Sequence, residues 1–174
     1  MTRRSWPAVV VLAMALGACD DDPSRPDDPD LTRADVAGVY DMTELSFDPQ
    51  GSLPSVNLLA RVSAAQVPEL IVAADEDSLQ LVFRLEGSLL RVVRGSYDLG
   101  DDGISVELAN ATEPAEILIP RDLAYAFDEQ AETLRFSGTI SADTTRLFTL
   151  VPEWSGEPVT NPLPGTLSVT FTRN

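Results

Sequence analysis

The chain has 174 residues, with 28 acids, 12 arginines, one cysteine and neither lysine nor histidine, for a formal charge of −16. This inventory excludes an imidazole base, a Ser-His triad, histidine metal ligands, a Schiff-base amine and a phosphate-loop lysine. It excludes an internal disulfide, and so acidic a chain is a poor general partner for nucleic acid or anionic lipid.

Residues 1–18 read as a targeting segment outside the fold. Arg3 and Arg4 precede a 12-residue apolar run, Pro7 to Ala18. That run is too short to span a bilayer, which takes about 20 apolar residues. It ends in Leu16-Gly17-Ala18-Cys19, where small side chains leave an extended backbone open to a peptidase. The segment resembles a bacterial lipoprotein signal peptide with its lipobox. The resemblance implies cleavage before Cys19, acyl chains on Cys19, export, and attachment to a membrane of the cell envelope. Inner and outer membrane both stay open. Two or three acyl chains anchor stably where one is marginal.

Residues 19–35 comprise that cysteine and an acidic tether. Asp20 to Asp35 holds seven acids, three prolines and two arginines. It cannot bury enough surface to offset its ordering entropy, so a disordered spacer is expected, reaching at most roughly 50 Å. Consecutive aspartates broken by proline lack the alternate-residue geometry of a calcium loop.

Residues 36–174 are long enough for one domain with its own core. Period-two alternation dominates, as half-buried strands require. Tyr40 and Met42 share a face, while Leu45 and Phe47 take the opposite parity, which predicts a bulge at Thr43–Glu44. Residues 56–68 suit either a strand pair or a short helix. Strands follow at Leu79–Leu85, Ile104–Leu108, Leu123–Phe127, Leu134–Ile140 and Leu167–Phe171. Turn signals separate them at Glu86-Gly87-Ser88, Gly100 to Gly103, Asp128 to Ala131 and Ser141 to Thr144; residues 152–164, with four prolines, read as a long loop. Short connections predict an all-β, antiparallel up-and-down meander of eight to ten strands with at most one short helix.

Gly38-Val39-Tyr40 at the start of the first strand is similar to the Gly-x-Trp or Gly-x-Tyr that opens lipocalin-like barrels. Gly95-Ser96-Tyr97, the acidic turn and Ile104 to Leu108 resemble the middle of small bacterial lipocalin-like domains. The resemblance implies a closed barrel that holds a small hydrophobic ligand. It departs from the vertebrate pattern in having Tyr for Trp and no disulfides. A β-sandwich is the alternative architecture, because alternation serves both.

Asp98 to Gly103 has the spacing of a calcium loop at its start only. Its twelfth position is Ala109 rather than Glu, so a hairpin turn is expected and no metal. Asp75-Glu76-Asp77 reads as a turn in the same way. No carboxylate pair has an apolar neighbourhood that would suit acid catalysis. The serines lack a base, and the Asn110-Ala-Thr112 sequon has little meaning in a bacterial chain. No catalytic residue and no cofactor are therefore expected.

What remains is shape. Tyr40, Phe83, Tyr97, Tyr125 and Phe136 sit at inward parity, where they either fill the core or line a ligand cavity. Trp154, in the proline-rich segment, is the candidate rim or lid contact. The expected function is non-catalytic binding of a small hydrophobic ligand or an envelope protein partner. The alternative is an assembly role through the surface or an open sheet edge.

Overall fold

The computed structural model describes residues 31–84, 89–109 and 118–174. The signal segment, Cys19, most of the tether, the Glu86-Gly87-Ser88 turn and the Asn110 sequon lie outside the described residues. Among the described residues nine strands form one antiparallel sheet: β1 (Gly38–Pro49), β2 (Val56–Asn57), β3 (Glu69–Val72), β4 (Ser78–Arg84), β5 (Leu90–Leu99), β6 (Gly103–Leu108), β7 (Asp122–Asp128), β8 (Thr133–Ala142) and β9 (Leu163–Arg173).

The sheet closes because β1 pairs on both edges. Gly38–Asp41 pairs with β3, while Tyr40–Pro49 pairs with β9. The result is an eight-stranded up-and-down barrel, with β2 a two-residue addition to β1. A sandwich is excluded by this closure. Bending β1 to serve two neighbours takes a bulge. It lies where the parity break predicts it: Met42 pairs with Phe171 and Glu44 with Thr170, leaving Thr43 extra. The Thr43 hydroxyl lies 2.9 Å from that of Thr172, so the bulged side chain stays hydrogen-bonded.

Alternation then fills the interior. Tyr40, Met42, Leu45 and Phe47 of β1, Leu79, Leu81 and Phe83 of β4, and Leu167, Val169 and Phe171 of β9 are all buried in one hydrophobic core. Gly165 carries no side chain because the Phe47 ring occupies its Cβ position, an aromatic cover over a strand glycine.

Several segments differ from the sequence reading. Residues 31–35 end the tether earlier than expected. Thr32 caps a single helical turn, α1 (Arg33–Val36), with the Thr32 N–H donating to Asp35 at 2.8 Å, and Val36 is fully buried. Arg33 pairs with Asp77 at 2.5 Å and ties this turn to the β3–β4 connection. Ser141 to Thr144 does not join two strands. Asp143 accepts hydrogen bonds from the Thr145 and Arg146 N–H groups and starts α2 (Thr144–Leu150). Asp is both a turn residue and a helix N-cap, and here Leu147 and Val151, four apart and both fully buried, decide for the helix. Residues 56–68, which suit a strand pair or a short helix, form the two-residue β2 and short 3₁₀ turns at Leu59–Arg61 and Ala64–Gln66, and a further 3₁₀ turn at Pro152–Trp154 lies in the proline-rich loop. Two helices therefore stand where at most one was expected.

The barrel has two distinct ends. The α1 end carries the starts of β1, β4, β6 and β8. The α2 end carries their finishes, and there Arg61 pairs with Glu153 at 2.5 Å and joins the 59–61 turn to the Pro152–Trp154 turn.

Candidate functional site

The α1 end is sealed by Arg173. This residue continues the inward series Leu167, Val169, Phe171 and its guanidinium lies 5.2 Å from the Tyr40 ring centre and 5.6 Å from that of Phe127. It donates to the Tyr40 hydroxyl at 2.8 Å, to the Asp35 carbonyl and to Glu132 at 3.3 Å. The Tyr40 hydroxyl in turn donates to the Val36 carbonyl at 2.7 Å, so α1 and both chain-terminal strands meet on one phenol. Close by, the Tyr97 hydroxyl donates to the Ala73 carbonyl at 2.8 Å. Tyr40 and Tyr97 are thus committed to a floor, and neither hydroxyl is left for a ligand. Burial raises both phenol pKa values, with Arg173 opposing at Tyr40 and Arg33 at Tyr97.

Two polar atoms in this floor, Thr133 Oγ1 and Arg173 Nε, are buried without a hydrogen-bond partner among the described residues. A buried unpaired hydroxyl costs stability that an apolar group of the same shape does not. Thr133→Val is therefore expected to raise stability by about 1 kcal/mol in urea unfolding. A loss of stability would mean that the hydroxyl is satisfied.

The middle of the barrel is different. Tyr125 packs edge-on against Phe136, with ring centres 6.3 Å apart, and against Phe171, at 5.9 Å. These three come from β7, β8 and β9, adjacent strands whose inward positions line up. The Phe136 ring folds down over Gly138, where a Cβ would lie 2.8 Å from it, so it covers the strand and projects less into the lumen. Tyr125 is 4% exposed and its hydroxyl makes no hydrogen bond among the described residues. Burial alone raises its pKa. A phenol in an apolar interior normally finds a partner; the Tyr125 hydroxyl is not among the fully buried unpaired atoms, so it borders solvent-accessible space beside these rings.

Phe83 and Trp154 lie toward the α2 end. Both are buried, and Trp154 belongs to the same core as Leu147 and Val151. Trp154 is therefore a packed part of the closure at that end and not an exposed rim contact. Half-buried Ile140, Phe148 and Leu150 pack against the same core. The six aromatic candidates thus divide into a floor pair, a mid-barrel pair and two residues toward the α2 end.

The acidic turns remain turns. Gly100 N–H donates to the Gly103 carbonyl at 2.8 Å and closes the β5–β6 hairpin. Asp35, Asp143 and Glu153 have lowered pKa values, each led by a local hydrogen bond: from Thr32, from the Thr145 N–H, and from Glu153's own N–H with Arg61 adding to it. All three carboxylates serve caps and ion pairs. Arg173 is the residue that composition reasoning passed over, although its parity with Phe171 was the signal that it points inward.

No family model matches this chain, and a search of curated proteins finds no relative.

Proposed function

We propose that this chain is a membrane-anchored bacterial envelope lipoprotein whose barrel binds one small amphipathic molecule without chemical change. The observation that carries the binding half is the open Tyr125 hydroxyl within an apolar wall of Phe136 and Phe171. An eight-stranded barrel is about the size at which side chains either fill the lumen or leave room for one small ligand. With one end sealed by Arg173 and Tyr40, a ligand enters at the α2 end once the Trp154 closure there moves aside. Its apolar body meets the aromatic wall and one hydrogen-bonding group meets Tyr125. The anchoring half rests on the sequence: the charged start, the short apolar run and Leu16-Gly17-Ala18-Cys19. The absence of histidine and lysine supports a role in binding over catalysis. Closure of the sheet weighs against the alternative of assembly through a long open edge.

Mass spectrometry of the protein isolated from its own membrane tests both halves. The expected denatured mass begins at Cys19 with a diacylglyceryl group or more. The expected native mass carries one small molecule in addition. An unmodified Met1 or Cys19 overturns the anchor, and a native mass without any companion overturns the ligand.

A further inference from the structure

The wall of the barrel is not evenly paired. β8 pairs with β9 at all ten of its residues, and β7 pairs with β6 over residues 122–126. Between β7 and β8, among the described residues, only three pairs form: Asp128 with Thr133, Phe127 with Leu134 and Ala126 with Arg135, all toward the α1 end. Past Arg135 the two strands part, and a seam runs from there toward the α2 end. The inner wall opens along it. Phe136 and Gly138 of β8 are half-buried, while Val169 and Leu167, opposite them on β9, are fully buried. Ile140, next on the same face of β8, is half-buried as well.

The backbone groups that face this seam follow from the pairs on the far sides of both strands. In an antiparallel pair, alternate residues turn their N–H and C=O toward the same neighbour. The Phe127 N–H donates to the Asp102 carbonyl, so odd residues of β7 face β6, and Asp122 and Ala124 face the seam. The Arg173 N–H donates to the Glu132 carbonyl, so even residues of β8 face β9, and Ser137, Thr139 and Ser141 face the seam. All five are exposed, and their backbone groups on this side have no partner among the described residues. Strand edges are normally blunted by charge, proline, a bulge or a cover. Residues 136–142 read FSGTISA, without charge or proline, and their register with β9 is unbroken.

We infer that the seam is a binding slot for an extended, uncharged peptide, which lies in the wall as an added strand. Ser137, Thr139 and Ser141 present donors and acceptors about 6.8 Å apart, the repeat that another extended peptide matches. A partner of about seven residues spans the part of β8 beyond its last pair with β7. Its side chains alternate between Phe136 and Ile140 inside and Ser137 and Thr139 outside, so apolar and small polar residues alternate along it. The occupant needs both of its edges free, because β7 lies across the seam from β8. The β8 strand of a second copy does not qualify, since its own β9 holds its other edge. Residues 20–30 of this chain do not qualify either, because they hold six aspartates and three prolines. The three pairs toward the α1 end keep the sheet closed, so the seam is a slot in the wall and not a long open edge. The inference is independent of the ligand reading.

The sheet closes within residues 38–173, so a chain of residues 20–174 keeps the barrel. The probe is a pool of acetylated heptapeptide amides in which threonine or serine alternates with valine or isoleucine. Saturable binding of one peptide per chain is expected. Amide exchange at Ser137, Thr139 and Ser141 should slow at least about tenfold, with exchange in β4 unchanged. N-methylation of the alternate peptide amides that face β8 should weaken binding about 100-fold, as loss of three hydrogen bonds would. Thr139→Pro removes one seam N–H and no bond to β9, so the barrel should stay folded and bind about tenfold more weakly. If that variant fails to fold, the exchange pattern of the unaltered chain decides. Absence of binding across the pool, protection away from the seam, or full binding by the N-methylated peptide or by a folded Thr139→Pro chain overturns the inference. So does slowing of the same amides by raised protein concentration alone, which would place a second copy there.

Discussion

Arg173→Ala is expected to lower stability by about 3 kcal/mol, the largest loss of any single arginine replacement. The guanidinium joins β9 to Tyr40 of β1, to the α1 turn through the Asp35 carbonyl and to Glu132 before β8. It also covers two aromatic rings. A charge-assisted hydrogen bond contributes about 1.5–3 kcal/mol and a partly buried cation–π contact about 1. The unpaired Nε and the cost of burying the charge offset part of that sum. The side chain is 21% exposed, against 40% for Arg61 in its pair with Glu153. Arg61→Ala should therefore cost at most about 1 kcal/mol, as surface pairs do. Lysine at 173 should recover little, because a point charge cannot serve three acceptors and two ring faces together. For a domain of this size the difference amounts to a melting temperature about 10 °C lower for Arg173→Ala. Equal melting of the Arg173 and Arg61 variants would remove Arg173 as the seal.

Above pH 10 the barrel is expected to unfold in a transition that belongs to its tyrosines. The chain has three tyrosines, all basic side chains are arginine, and there is no histidine. Arginine keeps its charge throughout that range. Tyr40, Tyr97 and Tyr125 are all buried with raised pKa values. A phenol whose folded pKa lies above its unfolded pKa binds its proton more tightly in the folded state. Its stabilising effect is complete below pH 10 and declines as pH rises toward the folded value. Tyr125 alone lowers stability by about 1.4 kcal/mol per pH unit over that interval, and Tyr40 and Tyr97 add to it. Tyrosinate absorbance should therefore appear together with loss of the β circular dichroism signal. A tyrosine that ionises near pH 10 with the barrel intact would contradict this, and Tyr125→Phe should move the midpoint upward.

The strands were legible because period-two burial is a property of the residues themselves. Leu167, Val169 and Phe171 face one way in the sequence and in the barrel, and the parity break around Thr43 is where β1 bends. Closure was less legible. A sandwich uses the same alternation, and only the double pairing of β1 separates the two. Asp143 misled because one carboxylate caps a helix or closes a turn with the same hydrogen bonds. The capping of Thr32 by Asp35 was readable as Thr-x-x-Asp, but seven acids in sixteen residues outweighed it. The aromatic candidates were found by parity, yet parity cannot say whose hydroxyl is paired. Tyr40 finds the carbonyl of Val36 in α1 and Tyr97 that of Ala73 between β3 and β4, and Tyr125 finds none among the described residues.

The central claim, that the lumen holds a ligand, is tested most directly by energy transfer from tryptophan. Residues 20–174 contain one tryptophan, Trp154, buried at the α2 end. Titration with the lipophilic fluorophore N-phenyl-1-naphthylamine should quench Trp154 and saturate at one molecule per chain. That binding should survive L90Q/V92Q, which replaces two exposed apolar side chains on the outer face of β5, and weaken when Phe136→Trp crowds the wall beside Tyr125. A barrel that melts cooperatively yet shows no saturable transfer, or loses it with L90Q/V92Q, would contradict a ligand inside.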